Sequence, residues 1–195
     1  MLAQRAFHIR RLEAPAVHQV LQVIASCRRE YGLDTRVAAI LEPSDHGLLS
    51  TYANRRSAYF VAVVDGQVVG GAGISRLHEV DGSICELQRM YLCQASRKLG
   101  IGNALLQCCI HQARQFRYEH CYAETICEMR SAIAFYERHG FRHLPAPLGK
   151  TGHNHNDCWL LLPLASPKAG GQDQGKTRFS YVYSRSSNGR MKERS

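Results

Sequence analysis

The chain has 195 residues, 45% hydrophobic and 21% charged, with a formal net charge of +9, which suits one domain with a sizeable core and leaves too little for two. Its longest apolar runs, such as Tyr59 to Val64 and Trp159 to Leu162, are far too short to span a bilayer, so no membrane segment is expected. The eight cysteines fall mostly in apolar periodic segments rather than punctuating loops, which excludes a disulfide-stapled secreted scaffold and predicts reduced, buried thiols.

Arg5, Arg10 and Arg11 precede no apolar block, because Glu13, His18 and Gln19 interrupt it; a secretory leader is not expected, and the cytoplasm is the expected compartment. Phe7 to Arg11 reads as a first strand, and Val17, Val20, Leu21, Ile24 and Cys27 recur at helical spacing. Between Gly32 and Asp45 the pattern is mixed, and short helical turns and loops are expected. Tyr59 to Val64, Asp65-Gly66 and Gln67 to Ile74 form a hairpin signal, since Asp-Gly between β-rich runs suits a type I′ turn.

A second Asp-Gly at 81–82 leads into a strand from Ile84 to Leu92, with Ile84, Glu86, Gln88, Met90 and Leu92 expected on one face and Cys85, Leu87, Arg89 and Tyr91 on the other. Leu105, Cys109, Ala113 and Phe116 then repeat at helical steps, so Cys108 and Cys109 read as core. Cys121 to Ile126 reads as a buried strand, and Ala132 to His139 as a short helix ended by Gly140. A final strand pair, Phe141 to Leu144 and Asp157 to Leu164, flanks a polar loop. This organisation predicts a domain over 1–164. Residues 165–195 form a basic tail, expected to be disordered, with seven Lys/Arg against Asp173 and Glu193. Much of the positive charge therefore lies outside the folded part, and nucleic acid is not an expected partner.

The strand ending at Leu92 feeds the loop Arg97-Lys98-Leu99-Gly100-Ile101-Gly102, which opens a helix. Glycines let backbone N–H groups approach an anion, a helix N-terminus supplies unpaired donors and partial positive charge, and Arg97 and Lys98 add full charges. A pyrophosphate suits such a seat; the alternative is a tight strand-to-helix turn with no ligand. Arg97-x-x-Gly100-x-Gly102, together with the block Ala132-Ile133-Ala134-Phe135-Tyr136-Glu137-Arg138-His139-Gly140-Phe141, resembles the Gcn5-related N-acetyltransferase (GNAT) superfamily over residues 7 to 164. Lys98, Gln94 and Met129 stand where members of that family often carry Gly, Pro and Asn.

The resemblance implies an α+β fold with a mixed, mostly antiparallel central sheet flanked by helices, and acetyl-CoA-dependent transfer of an acetyl group to an amine. It implies that the backbone at Met90 and Leu92 meets the pantetheine arm, while Arg97, Lys98, Leu99, Gly100, Ile101, Gly102 and Asn103 hold the pyrophosphate. A protonated amine must lose a proton before it attacks. By that resemblance Glu86, eleven residues before Arg97 on the expected strand, is the candidate general base, acting directly or through water; its alternative role is a surface or structural carboxylate, paired with Arg89 or another cation. By the same resemblance Tyr136 is the candidate acid for the departing thiolate, with core packing as its alternative role. Thr151 and His153 are candidate contacts to the acceptor, a small molecule or a protein amine. His153, His155 and Cys158 match no common four-ligand spacing, so no metal is expected. A homodimer fits the family. The competing function is a non-catalytic acyl-CoA-binding sensor or scaffold.

Overall fold

The computed structural model describes residues 6–32, 45–152 and 155–164. Strand β1 (Phe7–Arg11) and helix α1 (Val17–Glu30) are followed by α2 (Asp45–Tyr52), β2 (Ala58–Val64), β3 (Gln67–Arg76) and β4 (Ile84–Leu92). Helix α3 (Ile101–Gln115), β5 (His120–Thr125), α4 (Arg130–Arg138), β6 (Arg142–His143) and β7 (Cys158–Pro163) complete the domain. The strands form one sheet in the order β1-β2-β3-β4-β5-β7-β6. Every neighbouring pair is antiparallel except β4 and β5, which α3 joins by a crossover.

The expected elements form, and their local causes are visible. In the β2–β3 hairpin Asp65 and Gly66 take φ values of 49° and 78°, the two positive values that a type I′ turn needs. At the end of α4, Phe141 N–H donates to Tyr136 O at 3.1 Å and Gly140 N–H to Glu137 O at 2.9 Å, a Schellman closure. Helix α2 has no counterpart in the sequence reading, whose mixed segment falls mostly at 33–44, outside the described residues. Ser50 and Thr51 hydroxyls bond back to the Gly47 carbonyl at 3.1 and 2.8 Å, local bonds of the kind that make these residues weak helix signals.

Each face of the sheet carries a core. On one, α3 sets Leu105, Leu106, Cys109 and Ala113 against Phe60, Ala72, Ile74, Cys85 and Leu87. On the other, α1 and α2 set Val20, Ile24, Cys27 and Leu48 against Tyr59, Val61 and Val63. Cys108 and Cys109 are buried in the first, and all eight cysteines are free thiols. Between these layers β3 carries glycines where rings cross it. A Cβ on Gly71 would stand 2.5 Å from the Tyr59 ring, and one on Gly73 would stand 2.5 Å from Tyr52.

The face assignment within β4 is corrected by a bulge. Gly71 pairs with Tyr91 and Gly73 with Gln88, so β4 holds one extra residue there, and Arg89 takes φ +48°. Alternation inverts across it. Met90 and Leu92 join the α3 face with Cys85 and Leu87, opposite Glu86 and Gln88, while Tyr91 joins the α1–α2 face.

Candidate active site

Parallel pairing of β4 with β5 covers only Ile84–His120, Cys85–Cys121 and Glu86–Tyr122. From Leu87 onward β4 has no strand partner on its β5 side, and the sheet is open there among the described residues. An open ladder leaves backbone N–H and C=O groups that an extended ligand can pair with.

At the far end of the opening, the loop after β4 makes a 3₁₀ turn at Gln94–Ser96 and then alternates its backbone. Arg97 is extended, Lys98 has φ +64° and Gly100 has φ +83° before α3 begins. None of the backbone N–H groups from Lys98 through Asn103 has an acceptor among the described residues; the first helical bond is Ala104 N–H to Gly100 O at 3.0 Å. Unpaired donors at a helix start, with a left-handed residue between, form a nest for an anion. Leu99 is 48% exposed beside them, so the loop faces solvent. The space over Gly102 is bordered by Met90, Leu92 and Phe135, whose nearest atoms lie 3.8 to 3.9 Å from where a Cβ would be.

The side chains divide the loop's expected contacts. Arg97 turns away from the nest: Nη2 reaches Glu30 Oε2 at 2.6 Å, Nη1 meets Oε1 and Nε donates to Leu92 O at 3.1 Å. The pair raises the pKa of the guanidinium and lowers that of the Glu30 carboxyl below the ordinary carboxylate range. The Leu92 carbonyl also accepts from Cys27 Sγ at 3.4 Å. Asn103 Oδ1 lies 2.9 Å from His139 Nε2, and His139 Nδ1 lies 2.7 Å from Phe135 O, tying α3 to α4.

Glu86 lies at the mouth of the opening, on the α1–α2 face and only 4% exposed. Its Oε2 accepts from Gln88 Nε2 at 2.7 Å. Gln88 Oε1 accepts from Tyr52 O–H at 3.2 Å, and Tyr52 Oη from Arg89 Nη1 at 3.3 Å. Arg89, one of the cations considered as a partner for Glu86, bonds to Tyr52, and the three donors run from Arg89⁺ toward the Glu86 carboxylate. Tyr59 O–H fixes the bulge by donating to Arg89 O at 3.0 Å. Beside Glu86, buried Tyr122 donates to Glu124 Oε2 at 3.0 Å.

Tyr136 occupies the opposite, α3 face, packed against that core with its ring 5.3 Å from Phe141. Burial, then Cys121, Tyr91 and Cys109, push its hydroxyl well above the ordinary tyrosine range, so it stays protonated at neutral pH. Its hydroxyl has no hydrogen-bond partner among the described residues. Glu86 and Tyr136 therefore flank the opening from opposite faces of the sheet.

The loop between β6 and β7 reaches the Glu86 side. Gly149 packs on Leu77 and Val80, and Lys150 N–H donates to His78 O at 3.1 Å. Thr151 follows on this anchored segment, while His153 lies outside the described residues. Among the described residues no group of three or more His, Cys, Asp or Glu is arranged to hold a metal ion. Tyr52, Gln88, Tyr122 and Glu30 escaped the sequence reading. Alternation sets Gln88 on the face of Glu86 without giving it a role; the others come from distant elements.

A sheet split beside a glycine nest has close parallels. The profile of the Acetyltransferase (GNAT) family matches residues 19–141. The chain belongs to that family. It is 37% identical over 151 residues to the uncharacterized N-acetyltransferase YjgM of Escherichia coli K12, covering 77% of this chain and 89% of that protein. Among solved structures, a GNAT acetyltransferase from Staphylococcus aureus Mu50 superposes with a TM-score of 0.69 at 23% identity, over 82% of this chain and all of that one. YncA of Salmonella typhimurium, solved with its cofactor acetyl-CoA, gives 0.63 at 18% identity, over 85% and 98%. This GNAT chain is an N-acetyltransferase, and no helix among its described residues is long and apolar enough to cross a membrane.

Proposed function

We propose that the protein transfers an acetyl group from acetyl-CoA directly to an amine, with Glu86 as base and Tyr136 as acid. The observation that carries this reading is the end of the β4–β5 ladder at Glu86, with a carboxylate on one face of the opening and, on the other, a hydroxyl that has no hydrogen-bond partner among the described residues. The residues fit the donor: six N–H groups from Lys98 to Asn103 suit a diphosphate, and the β4 edge near Met90 and Leu92 suits the amide-bearing arm. When bound, acetyl-CoA supplies an acetyl thioester.

Glu86 takes a proton from the amine, directly or through water, so that the nitrogen lone pair can form the new C–N bond. As the C–S bond breaks, the sulfur keeps its electron pair, Tyr136 delivers its hydroxyl proton to it, and the new amide nitrogen gives its second proton to solvent. Tyr136 is then restored from solvent, and Glu86 releases its proton there. No covalent enzyme intermediate is needed, which agrees with Cys108 and Cys109 serving as core. The acceptor enters from the Glu86 face, bordered by the loop segment that carries Thr151, with His153 kept as a candidate contact on the sequence alone. The free thiols are compatible with a reducing, cytoplasmic setting.

An acceptor screen with acetyl-CoA, followed by Glu86→Gln and Tyr136→Phe, tests the roles. Each variant should lose about 10²- to 10⁴-fold in kcat while still binding CoA. Unchanged turnover in both, with chemistry rate-limiting, would remove these role assignments.

A further inference from the structure

Glu30 is the last residue of α1, where an anion meets the negative end of the helix dipole. Its position needs a compensating cation, and Arg97 supplies one with both terminal nitrogens. The third guanidinium nitrogen, Nε, is spent on Leu92 O at 3.1 Å, and the Arg97 Cζ lies 5.4 Å from the centroid of the Tyr31 ring. One side chain therefore joins the end of α1, the end of β4 and the start of the cofactor loop. The two partners are only 28% and 30% exposed, and a bidentate fork of this kind fixes orientation as well as charge.

We infer that Glu30 is a positioning residue for the donor site: it holds Arg97 as a strut, so that the loop amides and Lys98, not the Arg97 guanidinium, meet the diphosphate. This inference rests on the acetyl-CoA reading of the loop. The strut sets Arg97 in its extended conformation immediately before the left-handed Lys98. That sequence of backbone angles turns the following N–H groups outward together. Without Glu30, the guanidinium is no longer neutralised and the loop is no longer tied to α1.

The two roles for Arg97 predict opposite signs. CoA affinity of the full chain is measured by titration calorimetry, and KM is measured for acetyl-CoA and for S-acetylpantetheine, which lacks the diphosphate. With Glu30 as the positioning residue, Glu30→Gln weakens CoA binding about tenfold and raises the acetyl-CoA KM to match. It leaves kcat and the S-acetylpantetheine KM as in wild type. Arg97→Gln gives a similar loss, and the double variant is no worse than either single one. Tighter CoA binding by Glu30→Gln would overturn the inference, because a freed guanidinium would then be the phosphate ligand. So would unchanged binding, or additive losses in the double variant. Equal rises in both KM values would mean a general distortion of the site and would also overturn it. A wild-type chain that binds S-acetylpantetheine but gains nothing from the diphosphate would refute the loop as the donor seat itself, a different failure.

Discussion

At Gly100 the backbone is left-handed, φ +83°, with open space around the site of a Cβ; at Gly102 the conformation is helical, with neighbours at 3.8 Å. The two glycines of one motif are thus under different backbone constraints. A side chain at 100 is strained by about 1 kcal/mol or more through its backbone angle, whereas one at 102 meets only ordinary contact. Gly100→Ala should lower the thermal midpoint and raise the acetyl-CoA KM, while Gly102→Ala keeps the midpoint of the wild type. Equal midpoints for both variants would contradict the distinction. The same care applies to Glu86, whose oxygen is held by Gln88 at 2.7 Å. Gln88→Met should lower kcat about tenfold, with little further loss when added to Glu86→Gln, since both act through one carboxylate. A full multiplicative loss in steady-state kinetics would show that Gln88 acts elsewhere. The loop glycines could be read from sequence because they lie two positions apart in one short segment. Arg97 could be placed but not paired, since Glu30 is 67 positions away and only packing of α1 beside β4 reveals it.

At the scale of elements, the hairpin at Asp65-Gly66 was legible because its signal is local: two residues determine the turn. The bulge at Arg89 was not, since it is a relation between strands, fixed by a tyrosine on β2 whose hydroxyl reaches the Arg89 carbonyl. Perfect alternation put Met90 and Leu92 on the face of Glu86, and one inserted residue moved them to the other. This inversion lets a single strand present a carboxylate on one face and an apolar wall on the other. The glycines of β3 belong to the same device. Gly71 and Gly73 leave room for Tyr59 and Tyr52, which brace the bulge and Gln88. Gly73→Ala places a methyl 2.5 Å from one ring and 2.6 Å from the other, and both rings are packed in the α1–α2 core. It should cost about 1–3 kcal/mol of stability and reduce kcat through displaced Gln88. Denaturant unfolding checks the first effect; a midpoint equal to wild type would show that the rings are not fixed in place.

Across the whole molecule, the two cores share a sensitivity to alkali that their composition creates. Burial pushes the thiols of Cys27 and Cys109 up, moves Cys108 from 9.0 to about 11, lifts Tyr52 from 10.0 to about 12 and raises Tyr59 well above 10.0. These groups keep their protons in the folded chain at a pH where the unfolded chain has lost them. The unfolded state then binds fewer protons, and stability falls as pH rises. Below the ordinary thiol value the contribution is fully present. Above pH 9.0 the cysteines begin to remove it, and above pH 10.0 the tyrosines add to the loss, each displaced proton steepening the slope by about 1.4 kcal/mol per pH unit. Thermal unfolding under reducing conditions should therefore show a midpoint that is level from pH 7 to 8 and drops progressively from pH 9 to 11. A midpoint that stays level through pH 10.5 would mean that the thiols and phenols are solvated in the folded chain, and that the two-layer core on which the split sheet rests is not closed. The same experiment separates stability from chemistry. Tyr136 also retains its proton through this range, so any loss of turnover between pH 9 and 10 should follow the fraction folded rather than precede it.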